Sequence, residues 1–269
     1  GWRTSLVILG GVSFVWVAIW YLYFRDDPSD HPTITAKELE ALPPPKKVGA
    51  KQSVPWGALT RRMLPVTITY FCYGWTLWLF LGWLPSFFKE NYGLDLKNSA
   101  LFASGVFFAG VVGDTVGGML SDSILHRTGN VKLARLSVIV VGFLGAAASL
   151  AGVFLTRDLT LVALLLSSGF FFAELVIGPI WSVPMDIAPK YAGTASGLMN
   201  TGSAVAAIVS PIVFGLIVDL TGSWTLPFVG SVGLCLLGAA LAFTMHPERE
   251  FVDPVTGPVG PVATVPAGE

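Results

Sequence analysis

Charged side chains are scarce in this sequence, and their scarcity excludes a soluble globular domain. Only 12% of the 269 residues are charged, whereas 53% are hydrophobic, and the mean hydropathy is +0.69. A water-soluble fold of this length could not cover so much apolar surface. The net charge of −1 also leaves no excess of basic residues, so we expect no binding to nucleic acid.

Residues that act in catalysis or bind metals are equally rare. Cys72 and Cys235 lie inside apolar runs, which suits neither a disulfide framework nor a metal site. The three histidines, His31, His126 and His246, fall in loops or at the end of an apolar run. The sequence contains no HExxH motif, no GxSxG motif and no glycine-rich phosphate loop. We therefore expect no enzyme, no cofactor and no metal site.

Long apolar runs make up most of the chain. Each is long enough for the roughly 18 to 25 residues that one helix needs to cross a bilayer. They also lack the alternation that is typical of membrane barrel strands. The sequence therefore predicts an all-α integral membrane protein with seven transmembrane helices, at residues 4–24, 64–88, 99–121, 133–155, 159–183, 193–219 and 224–245.

These runs divide the chain into four segments. They are a transmembrane helix, a linker, a six-helix bundle and a proline-rich tail that we expect to be disordered, at residues 1–24, 25–63, 64–246 and 247–269. In the linker, Thr35 and Glu38 have the spacing of a capping box at the start of a short helix. Gly1 opens the chain without a signal-peptide pattern, which suggests a fragment that lacks its N-terminal part.

Basic residues are distributed unevenly between alternate connections. With the linker on the cytoplasmic side, 12 of the Lys and Arg residues fall on that side and 4 on the other. Because basic residues accumulate in cytoplasmic connections, we predict that the linker and the C-terminus are both cytoplasmic.

The stretch GGMLSDSILHRTGN at residues 117–130 is a short polar hairpin between two of the apolar runs. It holds Gly118 and Asp122 at a helix end and Arg127 beyond them, and Lys132 and Arg135 follow soon after. This pattern resembles the signature loop of the major facilitator superfamily of secondary transporters. The resemblance implies a gating loop in which the Asp122 carboxylate and the basic cluster lock two helical bundles together and release them.

Three further stretches resemble the anion:cation symporter branch of that superfamily. They are DDPSDHPTITAKELE at residues 26–40, YFCYGWTLWLFLGWLPSFF at residues 70–88 and GPIWSVPMDIAPKYAGTASGLMNTGSA at residues 178–204. The resemblance implies two six-helix halves, each built from two inverted three-helix repeats and joined by a cytoplasmic loop. This chain would supply the last helix of the first half, the loop and the second half, with the remaining N-terminal half as its partner.

The same resemblance implies a function and a location. Members of the branch move small organic anions, such as sugar acids, together with protons by alternating access. We therefore expect a multi-pass protein of the lipid bilayer in the bacterial inner membrane, with a small organic anion and protons as its partners. A seven-span receptor or sensor without transport activity is the alternative that the number of spans allows.

Two carboxylates lie deep within the apolar runs. Glu174 is near the middle of the fifth span, where Pro179 and Pro184 should bend or unwind the helix. An intramembrane carboxylate is costly, so Glu174 is a candidate for proton coupling, or else an interhelical hydrogen-bonding residue. Asp114 is a second candidate for coupling, although the small residues on its face favour a structural or gating role over substrate contact.

Four further residues are candidates for substrate binding. In the symporter branch, the Asn of the sixth span and the Trp before the APK turn line the cavity, and these roles fall on Asn200 and Trp181. Packing between helices is an equally good explanation for both. Tyr70 and Tyr73 share a helix face, from which their hydroxyls could bond the hydroxyls of a sugar acid. The six-helix set carries no lysine or arginine within the membrane, so the identity of the anion cannot be read from it.

Overall fold

The computed structural model describes residues 1–42 and 53–252, and the regular structure in these ranges is helical. Three short 3₁₀ turns, at Pro28–Asp30, Val153–Leu155 and Pro189–Tyr191, lie between the longer elements. The α-helices of the described residues are α1 (Trp2–Tyr23), α2 (Ala36–Ala41), α3 (Trp56–Tyr92), α4 (Leu96–Thr128), α5 (Val131–Gly152), α6 (Leu159–Glu174), α7 (Ile177–Ile187), α8 (Ala192–Thr221) and α9 (Leu226–Ala242).

Six of the seven predicted spans correspond to segments that are long and apolar enough to cross a membrane. One of these segments, Leu159–Ile187, is built from two successive helices, α6 and α7. The seventh predicted span corresponds to α9, whose 17 residues fall short of the about 20 that usually span the hydrocarbon core. The described residues therefore have the helices of a multi-pass membrane protein.

Two helix boundaries lie well outside the predicted spans. α3 begins at Trp56 and runs for 37 residues, so the end of the predicted linker is helical. α4 continues through the predicted hairpin as far as Thr128. Only Gly129, with a left-handed φ of 64°, and Asn130, which caps α5 by accepting the Leu133 N–H, connect α4 to α5. Because two residues of this kind reverse the chain, the rest of the polar stretch can stay helical.

The first compact unit, Gly1–Ser53, contains α1 and α2. The predicted capping box is present: the Thr35 N–H donates to Oε2 of Glu38 at 2.9 Å, and the Glu38 N–H donates to the Thr35 hydroxyl oxygen at 3.3 Å. The bonds from the Thr35 backbone and hydroxyl hold the pKa of Glu38 below its usual value. The prolines at 43–45 lie outside the described residues.

The second compact unit, Val54–Glu269, contains α3 to α9 packed around two apolar clusters. Its helices pair reciprocally: α3 packs against α8 and α9, and α6 packs against α4 and α5. α5 and α9 also contact each other. When α6 and α7 are counted as one span, the bundle has two sets of three spans, α3 to α5 and α6 to α9. The first span of each set contacts the second and third spans of the other set.

The chain beyond α9 stays against the bundle as far as the structure describes it. The Phe251 N–H donates to the carbonyl oxygen of Ile187 at 2.6 Å, and the Phe251 side chain packs against a buried cluster. Residues 247–252 thus differ from the expected disordered tail, because an aromatic side chain and a helix-end carbonyl anchor them. Residues from 253 onwards lie outside the described ranges.

Candidate functional site

The fifth span is interrupted at the position of Glu174. α6 ends at Glu174, and α7 begins at Ile177. Pro179 has no N–H to donate to the carbonyl of Leu175, and its ring clashes with a regular helix there. The predicted interruption is therefore confirmed, whereas Pro184 lies inside α7 without ending it.

Glycines of α4 let its backbone approach the interrupted helix closely. A Cβ on Gly113 would collide with the carbonyl oxygen of Phe171, and a Cβ on Gly117 would collide with that of Leu175. The Leu175 carbonyl is the one that Pro179 deprives of its helical donor. It faces the backbone of Gly117, where a Cα–H can approach it. Gly117 and the break in the fifth span therefore pack directly against each other.

Two tyrosines of α3 connect the two parts of the interrupted span. The Tyr73 hydroxyl donates to Oε1 of Glu174 at 3.0 Å, and the Trp181 indole N–H donates to the Tyr70 hydroxyl oxygen at 3.0 Å. The tyrosine rings stack with their centroids 5.2 Å apart, and Trp181 meets Tyr70 edge-on. We call Tyr70, Tyr73, Glu174 and Trp181 the tyrosine cluster. The structure thus brings together four of the predicted site residues.

One side of the tyrosine cluster is open. Tyr70 and Tyr73 are buried, with exposed fractions of 4% and 1%, whereas Trp181 is 37% exposed and Glu174 is half-buried. The Tyr70 oxygen accepts from Trp181, and no acceptor for its own proton lies among residues 1–42 and 53–252. Tyr70 therefore has a hydrogen-bond donor left over for a ligand oxygen.

Asp114 and Asn200 are not part of this network. A Cβ on Gly110 would lie 3.0 Å from Cγ of Glu174. Asp114 lies one helical turn after Gly110, but the Asp114 side chain is exposed. Asn200 is exposed on α8. Neither side chain has a hydrogen-bond partner within the described part of the chain. That Asn200 and Trp181 line one cavity stays a prediction.

A second polar cluster lies where α4, α5 and α7 meet at their ends. Arg135 of α5 is buried, with 8% of its side chain exposed. Its Nε donates to Oδ2 of Asp186 at 2.9 Å. Its Nη1 donates to the Ser121 hydroxyl at 2.8 Å and to Oδ1 of Asp122 at 3.2 Å. We call these four residues the arginine cluster. The guanidinium ties the ends of three helices together through charge-assisted bonds.

The other residues of the predicted gating loop have different surroundings. Arg127 is exposed on the last turn of α4, and its guanidinium has no ion pair within the ranges that the structure describes. Lys132 pairs with Glu248 at 3.4 Å instead of with Asp122. The Gly118 backbone packs against α7 just after the break, because a Cβ on Gly178 would lie 2.8 Å from the Cα of Gly118. Of the predicted basic residues, Arg135 is the one that holds Asp122.

Asp186 is a residue that the sequence analysis did not single out. It stands inside the quoted motif, in the run MDIAPK at the end of the fifth span. A carboxylate directly at the end of an apolar run, on the side rich in basic residues, is the signal that could have identified it. Its pairing with Arg135, 51 positions earlier in the chain, depends on tertiary packing.

The described residues contain no group of three or more His, Cys, Asp or Glu side chains that could hold a metal ion. Cys72 and Cys235 are both buried and free. The Thr76 hydroxyl lies 3.5 Å from the Cys235 sulfur. Both cysteines pack within the helical bundle.

These features define a polytopic helical membrane protein, with a polar cluster at a helix break and a buried arginine between helix ends. The sequence profile of the Major Facilitator Superfamily matches residues 1–211. The chain belongs to this superfamily, and it is a multi-pass membrane protein.

Individual relatives are named as transporters of organic anions. The "Probable sulfoacetate transporter SauU" of Cupriavidus necator is 47% identical over 250 residues, covering 92% of this chain and 58% of the relative. The "Probable galactarate/D-glucarate transporter GudP" of Escherichia coli is 28% identical, covering 96% of this chain and 60% of the relative. The hexuronate transporter of Bacillus subtilis is 27% identical, covering 98% and 61%. The chain thus spans about 60% of the length of these relatives.

Proposed function

We propose that the protein containing this chain is a secondary transporter that carries a small organic anion together with protons. The observation that carries the proposal is the tyrosine cluster, which presents a spare hydroxyl donor, an indole and a carboxylate beside a broken membrane helix. Broken helices within a bundle expose polar groups where a cavity can use them. The names of the relatives support an oxygen-rich anion as the substrate.

The Tyr70 hydroxyl is the donor that we assign to the substrate. Because its oxygen already accepts from Trp181, its proton is left to bond a carboxylate, sulfonate or hydroxyl oxygen. Asn200 would add a second polar contact from α8. The six-helix set holds no basic residue at the depth of Tyr70, so the cation that balances the anion must come from the other half.

Glu174 is the residue that we assign to proton coupling, with Asp114 as its neighbour on α4. The Tyr73 hydroxyl donates to the Glu174 carboxylate, so a proton arriving on that carboxylate weakens the bond to α3. Since the substrate donor Tyr70 stacks on Tyr73, protonation and substrate binding act on the same pair of rings. Such a shared element couples two ligands when each binds one arrangement better.

We assign alternating access to the set of helices from α3 through α9, which pair reciprocally with one another. We interpret α3, α4 and α5 as one repeat and α6 with α7, α8 and α9 as its inverted counterpart, which makes α9 the seventh span. The arginine cluster then holds the ends of α4, α5 and α7 in one access state and releases them in the other. We place this end on the cytoplasmic side of a bacterial inner membrane.

The test is the Glu174→Gln variant of the full-length protein in proteoliposomes, with radiolabelled sulfoacetate as the probe. We expect loss of proton-driven accumulation, with retention of exchange between labelled and unlabelled substrate across the membrane. The control is Glu90→Gln, since Glu90 lies at the exposed end of α3, paired with Lys89. Unlabelled D-glucarate and a hexuronate serve as competitors that identify the preferred anion.

Two outcomes would contradict the assignment. Normal accumulation by the Glu174→Gln variant would remove Glu174 from coupling, and loss of both accumulation and exchange would indicate a structural role. The receptor alternative would be favoured if the wild-type protein bound the anions without moving them. Membership of a transporter superfamily and the broken fifth span support transport instead.

A further inference from the structure

Residues 245–251 lie across one end of the six-helix bundle. We call them the strap. They follow α9 and contact the ends of three other helices, α3, α5 and α7, on the side that carries the arginine cluster. His246 has a positive φ of 50°, a conformation in which non-glycine residues are uncommon and need support from their surroundings.

Arg62 of α3 provides most of that support. Its Nη1 donates to the Met245 carbonyl at 2.8 Å, and its Nη2 donates to the carbonyls of His246 at 2.8 Å and Arg249 at 3.0 Å. The planar guanidinium therefore satisfies three backbone acceptors at once, and a lysine ammonium could not match that geometry. Arg62 fixes the path of the strap.

The other end of the strap is bound to α7. The Phe251 N–H donates to the Ile187 carbonyl at 2.6 Å, which is the carbonyl of the last residue of α7. The Phe251 ring also meets the Tyr191 ring edge-on, with centroids 6.2 Å apart. The middle of the strap is bound to α5, because Glu248 pairs with Lys132 at 3.4 Å.

Both of these attachments lie next to the arginine cluster. Ile187 directly follows Asp186, and Lys132 precedes Arg135 by one helical turn on α5. The strap thus holds α7 beside Asp186 and α5 beside Arg135, the two partners joined at 2.9 Å. The strap bonds to neighbours of both partners, and within the described residues it makes no hydrogen bond to either partner itself.

We propose that the strap, fixed by Arg62, is a positioning element that sets Asp186 against Arg135 and so tunes the rate of the access change. The inference rests on the gating role assigned above to the arginine cluster. Arg62 is a positioning residue, since it acts through the strap and α7 and not on the substrate.

The experiment compares Arg62→Gln with Arg61→Gln in the full-length protein in proteoliposomes, with radiolabelled sulfoacetate as the probe. Arg61 is the exposed neighbour of Arg62, and within the described residues it makes no hydrogen bond or ion pair with the strap. We expect Arg62→Gln to lower the maximal uptake rate about 10-fold, the size of effect typical for a lost hydrogen bond to a charged group. The half-saturating concentration should not change, and Arg61→Gln should behave as wild type.

A double-mutant cycle with Asp186→Asn separates positioning from general support of the fold. If the strap acts through Asp186, Arg62→Gln should have little further effect in the Asp186→Asn background. Additive losses, or equal uptake by Arg62→Gln and wild type, would overturn the proposal. Thermal unfolding of the same variants measures support of the fold, and uptake losses that follow the losses in melting temperature would also overturn the proposal.

A second variant covers the case in which Arg62→Gln does not fold. Glu248→Gln removes the attachment to Lys132 at the protein surface, and it should slow uptake only while Asp186 is present. Wild-type uptake by a folded Glu248→Gln variant would count against the proposal. Normal uptake by Asp186→Asn alone would instead show that the arginine cluster has no gating role, which is a failure of the proposed function.

Discussion

At the scale of single residues, the tyrosine cluster depends on a few hydrogen bonds between helices that are far apart in sequence. Tyr73 and Glu174 are separated by 101 positions, and Tyr70 and Trp181 by 111. Trp181 is the most exposed member of the cluster, so it can contact a ligand and orient the Tyr70 hydroxyl at the same time.

Trp181→Phe should therefore weaken substrate binding without unfolding the protein. An aromatic ring remains at position 181, but the Tyr70 oxygen loses the indole N–H that donates to it. A loss of about 1 kcal/mol in binding free energy would raise the dissociation constant about 5-fold. The matched control is Trp78→Phe, because Trp78 donates to Ser203 at 3.2 Å outside the cluster. Equal affinities for the two variants, measured by calorimetry with sulfoacetate, would argue against a binding role for Trp181.

At the scale of helices, the crossing of α4 with the broken span is set by backbone contact at glycines. Gly113 and Gly117 meet carbonyl oxygens of α6 and of the break, and Gly202 of α8 meets the Thr67 carbonyl of α3 in the same manner. Small residues allow such close approach between membrane helices, where van der Waals packing holds the helices together.

Gly117→Ala should destabilise the protein by about 1–3 kcal/mol, because the added methyl group collides with the Leu175 carbonyl and forces the helices apart. Gly105→Ala in the same helix is the control, since a Cβ at Gly105 meets nothing within 4 Å. Thermal unfolding in detergent gives the comparison. If both variants had the same midpoint, the crossing would have to be looser than the structure indicates.

Much of the helical framework could be predicted from the sequence, because long apolar runs and Pro179 act locally. The extent of α4 could not, since a glycine-rich polar stretch has the composition of a loop and becomes helical only when Gly129 and Asn130 make the turn. The tyrosine cluster was predicted as separate candidates. Its bonds, the pairing of Asp186 with Arg135 and the strap depend on tertiary packing that no sequence spacing reveals.

At the scale of the whole molecule, the two ends of the bundle differ in charge. The end with the arginine cluster and the strap also carries Arg62, Arg127 and Lys132, whereas the opposite end has Lys89, Lys97 and Arg157 among its basic residues. By the positive-inside rule, this asymmetry predicts that the end with the arginine cluster faces the cytoplasm.

Cysteine labelling from outside intact cells tests that orientation. A cysteine at Asn91 should react with a membrane-impermeant maleimide, and one at Arg127 should react only after the cells are opened. Both positions are exposed in the structure. The native Cys72 and Cys235 are buried, so they should contribute little background. Labelling at Arg127 in intact cells would reverse the proposed topology.

The contact between Gly117 and the Leu175 carbonyl also constrains how this protein can evolve. Replacing Pro179 alone would not free position 117, because a Cβ there would also lie 2.8 Å from the Leu175 carbonyl carbon and 3.0 Å from the Leu175 Cα. A larger residue at position 117 needs the whole Leu175 backbone to move away from α4. We therefore expect relatives that lack this glycine to have a wider spacing between α4 and the break, whatever residue they carry at position 179.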